Sequence, residues 1–98
     1  MRFPFFSIIV LLISLPLLHA QIILHTETYE NGNIKSISYH QKVDNVIKKT
    51  KYEEFFENGN KYIAGSFKNG KKSGVWTEWN KKGEKVSKGN YKNGKRDG

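Results

Sequence analysis

Three kinds of side chain in this sequence could take part in chemistry. They are two of the three histidines, His25 and His40, the acids Glu53, Glu54 and Glu57, and lysines gathered around repeated Asn-Gly pairs. A histidine becomes a base or a metal ligand only with Asp, Cys, Ser or further ligands at a workable spacing. His25 and His40 have none, so they read as structural or solvated. The acids could suggest a general acid–base pair, but in an extended strand they oppose nearby lysines. The Asn-Gly loops lack the spacing and the following helix of a phosphate-binding loop. The chain has no cysteine, which excludes disulfides, thiolate metal sites and a lipid-modified N-terminal cysteine. The sequence therefore reads as a non-enzyme, with no catalytic residue, cofactor or metal site.

Charge gives a better lead. Lys68, Lys71, Lys72, Lys92, Lys95 and Arg96 surround two homologous turns, and stacking of those turns would place them on one edge of a sheet. Lys81, Lys82 and Lys85 would lie at the opposite edge. Such a rim would meet anionic lipid, polysaccharide or another anionic partner, or it would be a solvated edge that blocks strand-to-strand aggregation. The residues singled out for partner binding are Trp76, Trp79, Lys71, Lys72, Lys95 and Arg96. Nucleic acid is an improbable partner for an exported protein, although basic charge beside exposed aromatics would otherwise invite it.

The elements that must carry these residues follow from a repeat. Slid against itself by 24 positions, the sequence places Gly65 on Gly89, Phe67 on Tyr91, Tyr52 on Trp76, Phe55 on Trp79, and Asn69-Gly70-Lys71 on Asn93-Gly94-Lys95. An earlier copy starts at Tyr29-Glu30-Asn31-Gly32-Asn33, 27 positions before Phe56-Glu57-Asn58-Gly59-Asn60, and blurs over 39–50. A fixed period of this length indicates a stacked array of one supersecondary unit. Asn-Gly is the strongest short hairpin signal, because a type I′ turn needs positive φ at both central residues. It occurs four times, and Asn80-Lys81-Lys82-Gly83 marks a fifth turn. Segments of strand length lie between, including 62–64, 75–79 and 86–91. The expected fold is all-β: a single-layer antiparallel meander of stacked β-hairpin repeats with a period of about 24 residues, preceded by a helical signal peptide. Trp76 and Trp79 are three apart, so either a bulge brings them together or aromatics pack on both faces. Expected aromatic columns are Tyr52 with Trp76, Phe55 with Trp79 and Phe67 with Tyr91, with Gly65, Gly74 and Gly89 leaving bare backbone under the rings.

The unit that runs from Trp76-Thr77-Glu78-Trp79 to Gly89-Asn90-Tyr91-Lys92-Asn93-Gly94-Lys95-Arg96 resembles the MORN-repeat variant, found in proteins labelled YwqK-family antitoxins. The resemblance covers about residues 28 to 98. It implies a β-hairpin array used for scaffolding or phospholipid binding, or, from the label, an antitoxin that neutralises a partner toxin.

The first twenty residues, MRFPFFSIIVLLISLPLLHA, carry Arg2, an apolar run over 5–15, Pro16 and a small residue at Ala20. This is the layout of a secretory signal peptide cut after Ala20. The alternative is an uncleaved N-terminal membrane anchor over 3–24. The domain reading is a signal peptide at 1–20 and a MORN-variant repeat domain at 21–98, with a degenerate copy at 28–51 and copies at 52–75 and 76–98, the last incomplete. The mature part would carry 16 basic and nine acidic residues, a net +7. Because the second KNGK phrase is not followed by a strand, 86–91 would be a terminal edge strand open to self-association, or the sequence would be a truncated member of a longer array. The expected function is a non-enzymatic exported repeat module (periplasmic, cell-surface or secreted) that binds or scaffolds an unknown protein partner or an anionic surface. The alternatives are the antitoxin and a direct binder of anionic lipid.

Overall fold

The computed structural model describes residues 8–15 and 20–98. They form a single open sheet of eight antiparallel strands in sequence order: β1 (Ile8–Leu15), β2 (Ala20–Thr28), β3 (Ile34–Val43), β4 (Val46–Phe55), β5 (Lys61–Lys68), β6 (Lys71–Trp79), β7 (Lys85–Lys92) and β8 (Lys95–Arg96). The described residues contain no helix. Ile8–Leu15, part of the expected helical leader, pairs with β2 along its whole length. β-branched Ile8, Ile9, Val10 and Ile13 suit a strand once a neighbouring edge is present. Arg2, the start of the apolar run at 5–7, and Pro16, which carried the rest of the leader reading, lie outside the described residues.

Two kinds of turn alternate. On one edge, Asp44-Asn45, Asn69-Gly70 and Asn93-Gly94 are two-residue turns with positive φ at both positions, the backbone that the right-handed strand twist favours. Asp44-Asn45 reaches it without glycine, at φ 50° and 64°, because short polar side chains tolerate the left-handed region. On the other edge the turns are wider than the type I′ form expected for Asn31-Gly32 and Asn58-Gly59. Only the glycines there, Gly32 and Gly59, with Gly83 in the third turn, have positive φ, near 90°. Each loop is closed by a backbone pair, Tyr29 N–H to Asn33 O, Phe56 N–H to Asn60 O and Asn80 N–H to Glu84 O, all at 2.8 Å.

Register assigns the side chains. Tyr52 faces Gly65 and Trp76 faces Gly89, and residues paired across strands share a face. One face, called here the ring face, carries Tyr52, Phe67, Trp76 and Tyr91. The opposite face carries Tyr39, Glu53, Phe55 and Trp79. Trp76 and Trp79 therefore point to opposite sides of β6, so aromatics pack on both faces.

There is no interior between layers. Among the described residues Ala20 and Trp76 are the buried apolar ones, at 2% and 6% exposure, and Ser36 and Glu53 the buried polar ones. Order comes from cross-strand contacts. The Trp76 indole lies against Gly65, where a side chain would collide with it. Its Nε1–H donates to Ser66 O at 3.0 Å, and the ring meets Phe67 and Tyr91 edge-on, with centroids 5.3 and 6.4 Å apart. The column therefore runs Phe67–Trp76–Tyr91 across three strands. Gly74 plays no such role: its φ of +72° serves the backbone, and nothing lies over it.

The wide turns are stitched together by carboxamides. Asn31 and Asn33 donate side-chain N–H groups to Glu57 O at 3.0 and 2.7 Å, and Asn58 and Asn60 do the same to Lys81 O at 2.9 and 2.8 Å. In the third turn Lys82 and Glu84 stand where the two asparagines stood, so the ladder has no further rung.

The β7 edge is only partly open. Residues 95–96 pair with it as β8, Asp97 N–H donates to Asn90 O at 2.6 Å, and Asn90 N–H donates to Gly98 O at 3.1 Å. Arg96 folds over Gly89, its Cζ 2.7 Å from where a Cβ would stand, and donates to Lys88 O at 3.1 Å. The guanidinium thus covers Gly89 much as the Trp76 indole covers Gly65. β7 is not the last strand, which corrects the expectation of a bare terminal edge.

Candidate functional site

The two faces differ in charge because alternation and bulges sort the lysines. Lys48 pairs with Gln41, Lys51 with Tyr39, Lys68 with Lys71, Lys85 with Trp79, Lys88 with Thr77 and Lys92 with Lys95. Lys61 reaches Glu53 on the same side. The side opposite the ring face, the lysine face, therefore displays at least these nine strand lysines. Among the described residues Glu53 is the one strand carboxylate on that face.

Glu53 is not available to balance the rest. It is 6% exposed. Its Oε2 lies 2.8 Å from Lys61 Nζ, and its Oε1 accepts the Tyr39 hydroxyl at 2.6 Å. Desolvation pushes its carboxyl up, but hydrogen bonds from Lys61 and Tyr39 and the charges of Lys61 and Lys51 outweigh that and hold it below the usual value. The same bond to Glu53, then burial and the Glu53 charge, push the Tyr39 hydroxyl up to about 12. Lys51 sits 5.1 Å from the Tyr39 ring centre and Lys61 5.6 Å from that of Trp79, so these two cations rest on rings. This cluster fixes the centre of the face and leaves the surrounding lysines in solvent.

At the two-residue-turn edge the lysine face runs into a shallow cleft of about 490 Å³, lined by Lys71, Lys92, Asn93, Lys95, Arg96 and Asp97. Of the residues singled out from sequence, Lys71, Lys95 and Arg96 meet here. Lys72 does not. It lies on the ring face, its ammonium 4.6 Å from the Trp76 ring centre and 5.0 Å from that of Tyr91. Trp76 is buried beneath it as a packing residue. Trp79 is half-buried on the lysine face, apart from both. The sequence reading looked for cations at turns and so passed over Lys48, Lys51, Lys61 and Lys88 inside strands. Their signal was two-residue alternation, masked by register slips such as those at Tyr39/His40 and Glu78/Trp79.

His40 sits on the ring face across from Lys49. Burial, and then the Lys49 and His25 charges, lower its pKa. Among the described residues no three His, Asp or Glu side chains gather as metal ligands, and no helix is long and apolar enough to cross a membrane. No family model, curated protein or solved structure matches this chain.

Proposed function

We propose that this chain is a non-enzymatic, exported repeat module that binds an anionic partner, an acidic polymer or protein surface, through its lysine face and the adjoining cleft. The observation that carries the reading is nine lysines on one face of a thin sheet with a single, already neutralised glutamate among them. A soluble sheet needs lysines at its edges, but not this segregation between faces. Closely spaced like charges repel and so cost stability, and an anionic partner relieves that repulsion.

The array reading is part of the proposal. Wide turns begin at 29, 56 and 80 and tight turns at 44, 69 and 93. The closing hydrogen bonds and the carboxamide ladder recur with them, which supports copies at 28–51, 52–75 and 76–98 with a period of about 24 residues, as the likeness to MORN-repeat variants implies. A leader at 1–20 cut after Ala20 would take β1 with it and leave β2 as the first strand.

The test is retention on immobilised dextran sulfate along a salt gradient. The full chain is expected to elute late, and the triple variant Lys68→Gln, Lys88→Gln, Lys92→Gln markedly earlier, because screening at about 0.1 M salt acts within about 10 Å. If the triple variant elutes with the parent, or the parent is not retained at low salt, the reading fails.

A further inference from the structure

The ring face is striped. Glu27, Glu54 and Glu78 lie on β2, β4 and β6 near the wide turns, each on this face by its partner: Glu27 opposite Ser36, Glu54 opposite Ile63 and Glu78 opposite Ser87. Lys49, Lys72 and Arg96 lie on β4, β6 and β8 toward the tight turns. Between the two stripes runs the aromatic row. Lys49 is held between Tyr52 and Phe67, 4.8 and 4.7 Å from their ring centres, and Lys72 between Trp76 and Tyr91. On the other side Glu54 accepts the Tyr52 hydroxyl at 2.8 Å and Glu27 the Ser36 hydroxyl at 3.1 Å. Acid, ring and cation stripes thus run side by side across the strands.

We infer that the ring face docks on the ring face of a second copy of this chain. A two-fold axis along the aromatic row turns one sheet over onto the other. The glutamate stripe of each copy then meets the cation stripe of its partner, and the aromatic row, with Lys49 and Lys72 resting on it, lies at the centre. An axis along the strands would set glutamate on glutamate. The lysine face cannot pair with itself, since it carries nearly one sign of charge. The ring face has three glutamates against Lys42, Lys49, Lys72 and Arg96. Sheets stacked in this way lie about 10 Å apart. Six strands about 4.8 Å apart and about 26 Å long give about 750 Å² per copy, or about 1,500 Å² in all, the size of a standard specific interface.

Sedimentation equilibrium of the full chain tests this. The expected result is a dimer that weakens as salt rises. Glu54→Lys with Glu78→Lys makes both stripes positive, and Lys49→Glu with Lys72→Glu makes both negative. Each variant alone is expected to be a monomer, and an equimolar mixture to form a one-to-one dimer. Lys88→Glu with Lys92→Glu, on the lysine face, should remain dimeric. Where circular dichroism shows that Lys49→Glu with Lys72→Glu does not fold, Glu54→Gln with Glu78→Gln replaces it, expected to weaken the dimer about tenfold. A parent chain that stays monomeric at about 1 mM in low salt overturns the inference. So does a dimer broken by the lysine-face variant, or one indifferent to the stripe variants, which would point to pairing through a strand edge.

Discussion

Trp76→Ala should be among the most damaging single substitutions in this sheet, and its size can be worked out. The side chain is 6% exposed, so nearly all of a tryptophan's surface, about 200 Å², is removed from water. At about 25 cal/mol/Å² this is about 5 kcal/mol. The denatured chain already hides up to about a third of such surface, which brings the transfer contribution nearer 3.5 kcal/mol. The edge-on contacts with Phe67 and Tyr91 add about 0.5 kcal/mol or more each. The lost bond to Ser66 O costs little, because Ser66 is exposed and water replaces the donor. The expected loss is about 3 to 5 kcal/mol, as much as a small single core supplies. Urea unfolding followed by far-UV circular dichroism would read a midpoint lower by about 3 M for a slope near 1 kcal/mol/M, or no folded baseline at all. Trp79→Ala is the control. That ring is half-exposed and has Lys61 at 5.6 Å, so about 1 kcal/mol is expected. If both tryptophans cost the same, and less than about 1 kcal/mol, packing on bare glycine is not what orders the ring face.

The other expectations concern charge and the turns. The Glu53 carboxyl is lowered from 4.5 in the folded chain, so it contributes stability above that value and loses it as pH falls through the folded pKa. Glu53→Gln should flatten the acid limb of a stability–pH curve below about 4.5. Tyr39 is raised from 10.0 to about 12, so its contribution is complete below pH 10 and lost between there and about 12; Tyr39→Phe should weaken that alkaline loss. Asn60→Ala removes one ladder bond to Lys81 O at an exposed turn and should cost about 0.5 to 1 kcal/mol, read by thermal melting against Lys82→Ala, which should cost nothing measurable.

How much of this was legible in the sequence depended on whether a local rule decided the outcome. Asn69-Gly70 and Asn93-Gly94 announced tight turns because few other dipeptides accept that backbone. Asp44-Asn45 uses the same backbone with less familiar residues, and so the stretch 39–50 looked blurred. Asn31-Gly32 and Asn58-Gly59 signalled turns correctly but not their type, which the closing pairs Tyr29–Asn33 and Phe56–Asn60 decide. Strands β5 to β7 were legible, but β1 lies in the stretch read as a helical leader, β8 was not foreseen, and the sorting of lysines between faces was not legible either. Parity along a strand is lost at each register slip, and a slip at Tyr39/His40 is a cross-strand event that no single strand encodes. Arg96 over Gly89 was equally hidden: the sequence showed a missing aromatic and gave no sign that a guanidinium would fold into its place.

That every strand pairs only with its sequence neighbours has a consequence for how the sheet forms and opens. All long-range order here is assembled from hairpins, so contact order is low for an all-β protein and folding is expected to be fast for the class. Within a single copy no layer packs across the sheet, so an isolated chain behaves as a one-dimensional zipper in which each hairpin is stabilised only by those beside it. Opening then proceeds by fraying from the two outer strands inward, and amide-exchange protection should be graded rather than all-or-none. The most protected rungs would be those of β5 and β6 around Trp76, where the Phe67–Trp76–Tyr91 column ties strands together.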